Sequence, residues 1–526
     1  MATTLAGVIR EQAATNGDAV AFTFEDIDTS YADLDRASNR VAQGLAAAGI
    51  GHGDRVAILD HNTLDFFELL FGAAKVGAVL VPVNWRLAPP EVAHIVNDAG
   101  ASLLVVGTEL LGVLDAIEDE LGTVERVLVS DAPAGPVPPE REAYAAWRDA
   151  HDAIDPGIET AADDVALQFY TSGTTGLPKG AMLTSSCILA LVPTANEALG
   201  LGRDTVSLVV MPLFHVAGAG WALFGLCNGA RNVMLRGVDL PAILEAIPKY
   251  GVTDSVFVPA VLQFLLMTPG VEDTDFSSLR TIVYGASPIS EDVLVRSIET
   301  FGCRFVQAYG LTETNGAVVL LPAEDHDPHG PNRHRLRAAG APLPGVEIRV
   351  VDDEGTSLPP GEVGEIWIRS PSNMAGYWNM PEATAEAITA DGWFRSGDAG
   401  YLDDDGYLYI HDRVKDMIVT GGENVYPAEV ESALMAHPGL ADVAVIGVPD
   451  ERWGETVKAI CVCNGEVEDR DALARDVLAF ARERLAHYKC PTSVDWVDVL
   501  PRNPSGKVLK KDLREPYWQG HDRRVS

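Results

Sequence analysis

The 526-residue sequence is poor in basic residues, and this shortage argues against partners that carry a high negative charge. It has 39 lysine and arginine residues against 76 aspartate and glutamate residues, which gives a formal net charge of −37 at pH 7. Nucleic acids and anionic membrane surfaces repel a polyanion, so we expect neither as a general partner. Cysteine is also scarce. The six cysteines show no framework spacing, which indicates reduced thiols in a cytoplasmic protein.

Long hydrophobic runs are almost absent. The run over residues 206–227 is long enough to span a bilayer, but Pro212 and the glycines Gly218 and Gly220 interrupt it. It is predicted to be a buried strand, a turn and a buried helix, so we expect no membrane span. The first residues lack a basic segment followed by an apolar core, so we expect no signal peptide.

The chain is too long for one hydrophobic core, and its pattern changes along its length. Up to about residue 410, short apolar runs alternate with amphipathic segments, which predicts parallel sheets covered by helices. The segment after Tyr31 has a capping-box pattern in Ser30 and Asp33, which predicts the start of a helix there. The clearest apolar runs are 55–59, 102–106, 165–170, 207–211, 255–259 and 281–285.

The predicted fold is therefore α/β with more than one domain. The large N-terminal domain of helix-covered β-sheets is predicted over residues 1–411. Within it, residues 345–411 alternate strands with Asp-Gly turns, which predicts an antiparallel, β-barrel-like subdomain. A hinge is predicted at 412–415. A small, mobile α+β C-terminal domain is predicted over 416–526.

A glycine-rich segment, TSGTTGLPKG, follows the apolar run at 165–170 and precedes a helical pattern that begins at Thr184. Its backbone N–H groups and hydroxyls suit a polyphosphate. It differs from a P-loop because Lys179 lies between Pro178 and Gly180. Lysine is rare here, with nine in the chain, so a lysine in this context is informative. The alternatives are a flexible linker or a glycine-rich turn.

Two further stretches carry polar groups that could bind a nucleotide. In YGLTET, Tyr309 could stack on a base and Glu313 could hold Mg²⁺ near phosphates; a polar strand exit is the alternative. In GWFRSGDAG, Asp398 could accept both hydroxyls of a ribose, or it could be a turn residue.

Two later stretches are basic. Arg413 and Lys415 precede the glycine pair Gly421 and Gly422, and a solvated linker followed by a turn is the alternative interpretation. Lys507 follows Pro-Ser-Gly, and its alternative is a basic surface tail. Each stretch alone is weak evidence. The five stretches together, in this order and at this spacing, are not weak evidence.

Together the five stretches resemble the adenylate-forming superfamily, which includes acyl-CoA synthetases, non-ribosomal adenylation domains and beetle luciferases. The chain is most similar to the acyl-CoA synthetase and fatty-acid–CoA ligase branch, over nearly its whole length. The resemblance implies ATP, Mg²⁺ and coenzyme A as cofactors and a carboxylic acid as substrate. It implies an ATP-dependent acyl-CoA ligase that forms acyl-AMP and pyrophosphate before the CoA thiol displaces AMP.

The resemblance also implies roles for individual residues. The catalytic residues are Lys507, Glu313, Thr175 and His215, with Glu313 also the metal ligand. The implied CoA contacts are Gly421, Gly422 and Glu423, and the implied hinge residue is Lys415. The implied ATP and AMP contacts are Thr171, Ser172, Gly173, Thr174, Thr175, Gly176, Lys179, Gly285, Ala286, Ser287, Ala308, Tyr309, Gly310, Thr312, Asp398 and Arg413.

The segment PLFHVAGAGW resembles the part of the family that lines the acyl site. It has no aspartate to pair with a substrate ammonium, and burying an unpaired ammonium costs on the order of several kcal/mol, so amino acids are not expected. A medium- or long-chain fatty acid is expected, with an aryl or steroid side-chain acid as the alternative. His215 either orients the carboxylate or is a packed core residue. The implied pocket residues are His215, Val216, Ala217, Gly218, Trp221, Gly310 and Gly316.

Other functions and partners stay open at this stage. An acyl-AMP ligase that loads a carrier protein is one alternative, and a catalytically dead nucleotide sensor is another. A homodimer is a further expectation. The PRNPSGK segment resembles the pattern in which related synthetases are acetylated, which makes a lysine acetyltransferase acting on Lys507 an expected partner.

Overall fold

The computed structural model describes residues 2–130, 135–171, 178–287, 289–413, 416–420, 423–450, 452–465, 467, 469–502 and 508–519. Its strands lie within these ranges. In chain order they are β1 (Val20–Phe24), β2 (Ile27–Ser30), β3 (Arg55–Leu59), β4 (Val79–Pro82), β5 (Ala101–Gly107), β6 (Arg126–Ser130), β7 (Val165–Thr171), β8 (Lys179–Thr184), β9 (Val206–Val209), β10 (Arg231–Met234), β11 (Asp254–Phe257), β12 (Thr281–Gly285), β13 (Arg304–Leu311), β14 (Gly316–Leu321), β15 (Ala341–Pro342), β16 (Glu347–Val351), β17 (Gly364–Arg369), β18 (Gly376–Tyr377), β19 (Phe394–Leu402), β20 (Leu408–Arg413), β21 (Ile418–Thr420), β22 (Glu423–Val425), β23 (Leu440–Asp450), β24 (Gly454–Cys463) and β25 (Ser493–Trp496).

The helices lie mainly between the strands of the first 300 residues. They are α1 (Leu5–Asn16), α2 (Tyr31–Ala47), α3 (Leu64–Val76), α4 (Pro89–Ala99), α5 (Leu111–Ile117), α6 (Tyr144–Asp149), α7 (Ser185–Leu189), α8 (Val192–Leu199), α9 (Val216–Cys227), α10 (Leu240–Tyr250), α11 (Pro259–Met267), α12 (Glu291–Phe301), α13 (Pro381–Ala387), α14 (Pro427–Leu434), α15 (Arg470–Arg482) and α16 (Lys510–Trp518). Helix α2 begins with the predicted capping box, in which the Ser30 hydroxyl accepts a hydrogen bond from the Asp33 N–H at 3.0 Å.

Two large, mainly parallel sheets form the N-terminal part of the molecule. One has seven strands in the order β18-β8-β7-β4-β3-β5-β6, and the other has nine in the order β15-β14-β13-β12-β11-β9-β10-β1-β2. The predicted apolar runs became β3, β5, β7, β9, β11 and β12, so the prediction of helix-covered parallel sheets is confirmed. The largest buried cluster contains side chains of both sheets and of helices α1, α2, α3 and α9. The core therefore joins the sheets into one body.

The segment after residue 345 forms a separate antiparallel sheet. Its four strands run in the order β16-β17-β19-β20, with the predicted Asp-Gly turn at Asp405–Gly406 between the last two. The antiparallel strands agree with the sequence. In the described residues the edge strands β16 and β20 do not pair with each other, and the barrel-like shape of this subdomain stays a prediction.

The C-terminal part has its own sheet and core. Strands β22-β21-β24-β23 are antiparallel neighbours, and β25 pairs with β24 in parallel. Helix α14, the β23–β24 hairpin and helix α15 agree with the predicted α+β composition of this part. The fold is thus a large N-terminal α/β domain followed by a smaller α+β domain. The boundaries at 411 and 416 stay a prediction.

The hydrophobic run at 206–227 divides as its proline and glycines predict. It forms strand β9, a turn around Pro212 and helix α9. None of the helices in the described part of the chain combines the length and the apolar composition that crossing a bilayer requires.

One histidine differs from its predicted environment. The three histidines of segment 324–335 could suggest a metal site, but its proline and glycine residues break any regular ligand spacing and predict a polar surface loop. His326 is nevertheless only 8% exposed. Its Nδ1–H donates to the Pro322 carbonyl at 2.9 Å, and its Nε2 accepts from the Tyr284 hydroxyl at 3.0 Å. Burial lowers the pKa of His326 to about 4. The prediction of an exposed loop was wrong at this residue, because folding places the His326 ring against Tyr284 on β12.

His326 is expected to make stability depend on pH. The unfolded chain binds a proton at this ring below about pH 6.5, whereas the folded chain resists protonation down to about pH 4, so acidification through this window destabilises the fold. Between pH 7 and about pH 5, His326→Gln should lose roughly 2 kcal/mol less of its free energy of unfolding than the wild type does. Urea titrations measure this, with the exposed His334→Gln as control. Equal losses in His326→Gln and the wild type would contradict the assignment.

Candidate active site

The glycine-rich segment 171–180 lies at the carboxyl end of β7. Thr171 ends that strand, and the Cα of Lys179 at the start of β8 is its register partner. Ser172, Gly173, Thr174, Thr175 and Gly176 lie outside the described residues. Strand β8 is not among the predicted elements. The segment therefore connects two antiparallel strands, and the predicted helix begins only at Ser185, after β8.

Glu313 brings the second sheet to this segment. It lies in the short 3₁₀ turn Thr312–Thr314 that follows β13. Its Oε1 accepts hydrogen bonds from the Tyr377 hydroxyl at 2.9 Å and from the Thr171 hydroxyl at 3.4 Å. The carboxyl ends of β7 and β13 thus meet here. The structure places the predicted phosphate-loop residues Thr171 and Lys179 beside the predicted magnesium ligand.

Residues 372–378, which we call the strap, contact both the turn around Glu313 and strand β8. The Ser372 hydroxyl donates to the Thr314 carbonyl at 3.0 Å, and the Met374 N–H donates to the Glu313 carbonyl at 2.7 Å. Further along, the strap pairs with β8 through β18, in the register Gly376 with Met182 and Tyr377 with Ala181. One short segment therefore contacts both the turn that contains Glu313 and strand β8, which begins at Lys179.

The predicted ribose and adenine residues also come together. The Tyr309 hydroxyl on β13 donates to Asp398 Oδ2 on β19 at 2.8 Å, and Asp398 is buried. The Asp398 N–H donates to the Ser396 hydroxyl at 3.0 Å, which fixes the backbone at this point. Across the β19–β20 ladder, the Cα of Asp398 faces that of Arg413. The side chain of Arg413 lies outside the described part.

The segment after β12, which the resemblance assigns to ATP and AMP binding, has a tight and strained backbone. A Cβ added to Gly285 would lie 2.0 Å from the Ala308 carbonyl oxygen on the neighbouring strand, so only glycine fits there. The next residue, Ala286, has a φ of +66°, a left-handed conformation that alanine rarely adopts. Such strain concentrates at functional sites. Gly285, Ala286 and Ser287 stay predicted contacts of ATP and AMP.

Gly310 and Gly316 let β13 and β14 approach closely beside Thr312. A Cβ on Gly310 would lie 1.7 Å from the Gly316 carbonyl oxygen. The chain reverses through Asn315 and Gly316, whose φ values are +55° and +91°. The absence of a side chain at Gly310 is therefore what allows the two strands to pack this closely.

His215 is the N-terminal cap of α9. Its Nδ1 accepts a hydrogen bond from the Ala217 N–H at 3.1 Å, so the proton of the neutral ring is on Nε2. Burial lowers the pKa of His215 to about 4, which keeps the ring neutral at physiological pH. A neutral Nε2–H can donate a hydrogen bond to a carboxylate. A role as a packed helix cap remains compatible with the same geometry.

The predicted acyl-pocket residues share the start of α9. Val216 is close to Gly316, because a Cβ built there would lie 3.5 Å from Val216 Cγ2. Gly218 packs against the preceding turn, where a Cβ would lie 2.3 Å from the Pro212 carbonyl oxygen. Trp221 is buried one turn further along the helix. Five of the predicted pocket residues, from His215 to Trp221, therefore come from one cap and its helix.

The structure does not describe the side chains of several predicted site residues. Lys415, Gly421, Gly422 and Lys507 lie outside the described residues. Glu423 is described only in its backbone, whose Cα is the register partner of Thr420. Their predicted roles in CoA binding, the hinge and catalysis stay predictions.

Two residues of the site were missed by the sequence interpretation. Tyr377 follows Gly376 in MAGYWN, and its aromatic pair with Trp378 was the only available signal. Asn62 is 1% exposed; its Nδ2 donates to the Met211 carbonyl at 3.1 Å, and its Oδ1 accepts from the Leu213 N–H at 3.0 Å. It holds the turn before His215, and nothing in the sequence around it indicates this.

Comparison with known families gives two matches in chain order. The family described as AMP-binding enzyme matches residues 9–378, and the family described as AMP-binding enzyme C-terminal domain matches residues 429–507. The first match contains Thr171, Lys179, Glu313 and Tyr377, and the second ends at Lys507.

Individual relatives cover nearly the whole chain. The chain is 43% identical over 507 residues to fatty acid–[acyl-carrier-protein] ligase ScoC from Streptomyces coeruleorubidus, covering 94% of this chain and 93% of the relative. It is 41% identical over 495 residues to a feruloyl-CoA synthase from an Amycolatopsis species, covering 93% and 94%. Its structure is similar to that of ATP-bound MatB from Rhodopseudomonas palustris, with a TM-score of 0.87, 31% identity, and coverage of 98% and 100%.

Proposed function

The chain belongs to the AMP-binding enzyme family, and we propose that it is an ATP-dependent ligase that joins a carboxylic acid to a thiol through an acyl-AMP intermediate. The observation that carries this proposal is the meeting of Thr171, Lys179 and Glu313 at the carboxyl ends of β7 and β13. A basic phosphate segment and a carboxylate at one point suit a bound triphosphate.

In the first half-reaction, a carboxylate oxygen of the substrate attacks the α-phosphorus of ATP, and pyrophosphate leaves. Lys179 would neutralise charge on the departing phosphates. Tyr309 and Asp398 would hold the adenosine, with the Asp398 carboxylate facing the ribose hydroxyls. The Nε2–H of His215 would orient the substrate carboxylate. Lys507 would stabilise the negative charge that builds up around the α-phosphate.

The residues around Glu313 fit Mg²⁺. One oxygen of the carboxylate, Oε1, accepts hydrogen bonds from two protein hydroxyls. Mg²⁺ in phosphate-transfer sites takes one or two carboxylates and completes its shell with phosphate oxygens and water. When bound, the ion would neutralise phosphate charge. Glu313 is the carboxylate that would hold it.

In the second half-reaction, a thiolate attacks the acyl carbonyl carbon and AMP leaves with the oxygen that it gained from the carboxylate. We propose that the C-terminal domain rotates between the two steps, which withdraws Lys507 and presents the Gly421–Gly422 segment to the thiol. The contact between the rings of His411 and Tyr426, 4.6 Å apart, joins residues on either side of the proposed hinge. Such a contact must change when the domain turns.

The hinge proposal predicts a selective defect. Lys415→Pro fixes φ at the proposed pivot, so the thiol step should slow on the order of tenfold while adenylation continues. Pyrophosphate exchange reports the first step, and thioester formation from added acyl-AMP reports the second. The control is Lys511→Ala, at an exposed lysine. Lys249→Pro is unsuitable because Lys249 lies in a helix. An unaffected thiol step in Lys415→Pro would exclude a pivot there.

For the substrate we propose a medium- or long-chain fatty acid. The support is the apolar start of α9, with Val216 facing the side-chain-free Gly316. An aryl acid is the alternative, because the relatives include both a fatty acid ligase and a feruloyl-CoA synthase. The acceptor is proposed to be coenzyme A. A carrier protein is the second candidate, since the relative with 43% identity is named as an acyl-carrier-protein ligase.

A matrix of acids and acceptors tests the proposal. Pyrophosphate release is measured with fatty acids of increasing length, ferulate, indoleacetate and a steroid side-chain acid, each with coenzyme A, a holo-carrier protein or no thiol. We expect release with the fatty acids and complete turnover with coenzyme A. Turnover with the carrier protein alone would reassign the acceptor. Pyrophosphate release with none of the acids would contradict the proposed function.

Three finer proposals rest on the sequence alone. The sparse, unpatterned cysteines support a cytoplasmic location. The resemblance supports a homodimer and acetylation of Lys507 by a lysine acetyltransferase, which would remove the charge that adenylation needs. Mass spectrometry of Lys507 after treatment with an acetyl donor and the acetyltransferase checks the last of these.

A further inference from the structure

We propose that Tyr377 is a positioning residue that separates Lys179 from Glu313 and keeps each available to a different part of MgATP. This inference rests on the proposed function and extends it to a residue outside the predicted site. Tyr377 contacts both charged groups at once, through chemically different parts of its side chain.

The hydroxyl of Tyr377 acts on the carboxylate. It donates to Glu313 Oε1 at 2.9 Å, and the Thr171 hydroxyl lies 3.4 Å from the same oxygen. Two donors on one oxygen fix the rotation of the carboxylate. Oε2 is then the oxygen presented to a cation. A hydrogen bond to a charged acceptor is among the stronger ones in proteins, so it can hold this orientation before the ligand arrives.

The ring of Tyr377 acts on the lysine. The Nζ of Lys179 lies 5.1 Å from the ring centroid, within the range of a cation–π contact. The electron-rich face attracts the ammonium without neutralising it, unlike a carboxylate. Between Lys179 and Glu313, both described by the structure, no ion pair forms; each contacts the tyrosine instead.

The separation matters because opposite charges on facing elements would otherwise pair. An ion pair between Lys179 and Glu313 would have to break before the lysine could meet phosphate or the carboxylate could meet Mg²⁺. Preorganised charges avoid this cost at the moment of binding. The tyrosine thus keeps two opposite charges close together but unpaired.

The backbone around Tyr377 supports the assignment. Its N–H donates to the Thr384 hydroxyl at 2.9 Å, and the next residue, Trp378, donates its N–H to the Gly180 carbonyl at 2.8 Å. Gly376 has a φ of +145°, and a Cβ there would lie 2.8 Å from Thr384 Cγ2. The strap therefore holds the tyrosine on both sides, beside the residues that it would position.

Two substitutions separate the roles of the hydroxyl and the ring. Tyr377→Phe removes the hydroxyl that donates to Glu313, and Tyr377→Leu also removes the aromatic face. Tyr407→Phe is the matched control, because its hydroxyl donates to Asp325 Oδ2 at 2.6 Å, outside the site. The affinity of the full-length protein for ATP is measured by titration calorimetry without any carboxylic acid, once with Mg²⁺ and once with EDTA.

For Tyr377→Phe we expect the dissociation constant for ATP with Mg²⁺ to rise on the order of tenfold, and the value in EDTA to stay within about twofold of the wild type. Tyr377→Leu should weaken binding in EDTA as well, by about fivefold, because Lys179 is then drawn to Glu313. The control should match the wild type in both conditions.

The possible contrary results are distinct. If Tyr377→Phe keeps the wild-type ratio between the two conditions, or loses affinity equally in both, the positioning role is overturned. If the wild type binds no ATP in either condition, the proposed function fails and this inference fails with it.

Discussion

Lys507→Ala is expected to lower the rate of acyl-AMP formation by roughly three powers of ten, while thioester formation from supplied acyl-AMP stays near the wild-type rate. The lysine would act only on the charge that builds up around the α-phosphate, and no such charge develops when a thiol attacks acyl-AMP. The loss should therefore fall on one half-reaction.

Two assays separate these outcomes. Exchange of labelled pyrophosphate into ATP reports adenylation, and thioester formation from synthetic acyl-AMP reports the second step. The control is Lys511→Ala, since this exposed lysine belongs to the same basic segment. If Lys507 were part of a basic surface tail only, both variants would behave alike. An equal loss in both half-reactions would also contradict the assigned role.

Glu313→Gln is expected to lower adenylation by two to three powers of ten and to raise the Mg²⁺ concentration needed for half-maximal rate. The amide keeps the size of the side chain and can still accept the Tyr377 hydrogen bond, which is 2.9 Å long in the wild type. What it loses is the negative charge that a hard cation requires. The defect should therefore be one of metal affinity and charge, with the fold preserved.

The measurement is pyrophosphate exchange across a series of Mg²⁺ concentrations. Glu347→Gln is the control, because this exposed carboxylate pairs with Arg369 on the surface of the antiparallel sheet. Partial recovery of Glu313→Gln at high Mg²⁺ is the expected result. A variant with the wild-type Mg²⁺ dependence would show that Glu313 does not hold the ion.

The parts of the fold that the sequence predicts are those with strong local patterns. Strand β12 and helix α2 with its capping box both follow from local sequence, one from an apolar run and the other from its capping residues. Strand β8 escaped prediction because the glycine-rich segment was interpreted as leading directly to a helix; β8 pairs with β7 across that segment and with the two-residue β18, almost 200 positions away. Pairing over that distance leaves no local signal.

The scarcity of lysine was informative, but only in context. Lys179 lies at the site, whereas Lys75 is fully buried, where its ammonium bonds Asp35 Oδ1 at 2.6 Å and the Ser38 hydroxyl at 2.8 Å. The difference lies in the surroundings, since Lys75 belongs to an apolar helix and Lys179 to a glycine-rich segment. Tyr377, in contrast, was not recognised from the sequence. Its partners come from β8 and the turn after β13, so its role emerges only from tertiary structure.

The most direct test of acyl-AMP formation follows one oxygen atom. The acid that releases the most pyrophosphate is labelled with oxygen-18 in its carboxylate and converted with ATP and the preferred thiol. If a carboxylate oxygen attacks the α-phosphorus, AMP leaves the thiol step with one labelled oxygen, and pyrophosphate carries none. Mass spectrometry of the two products should show this distribution. ADP in place of AMP, together with label in inorganic phosphate, would mean that the acid is activated as an acyl phosphate, and it would contradict the account.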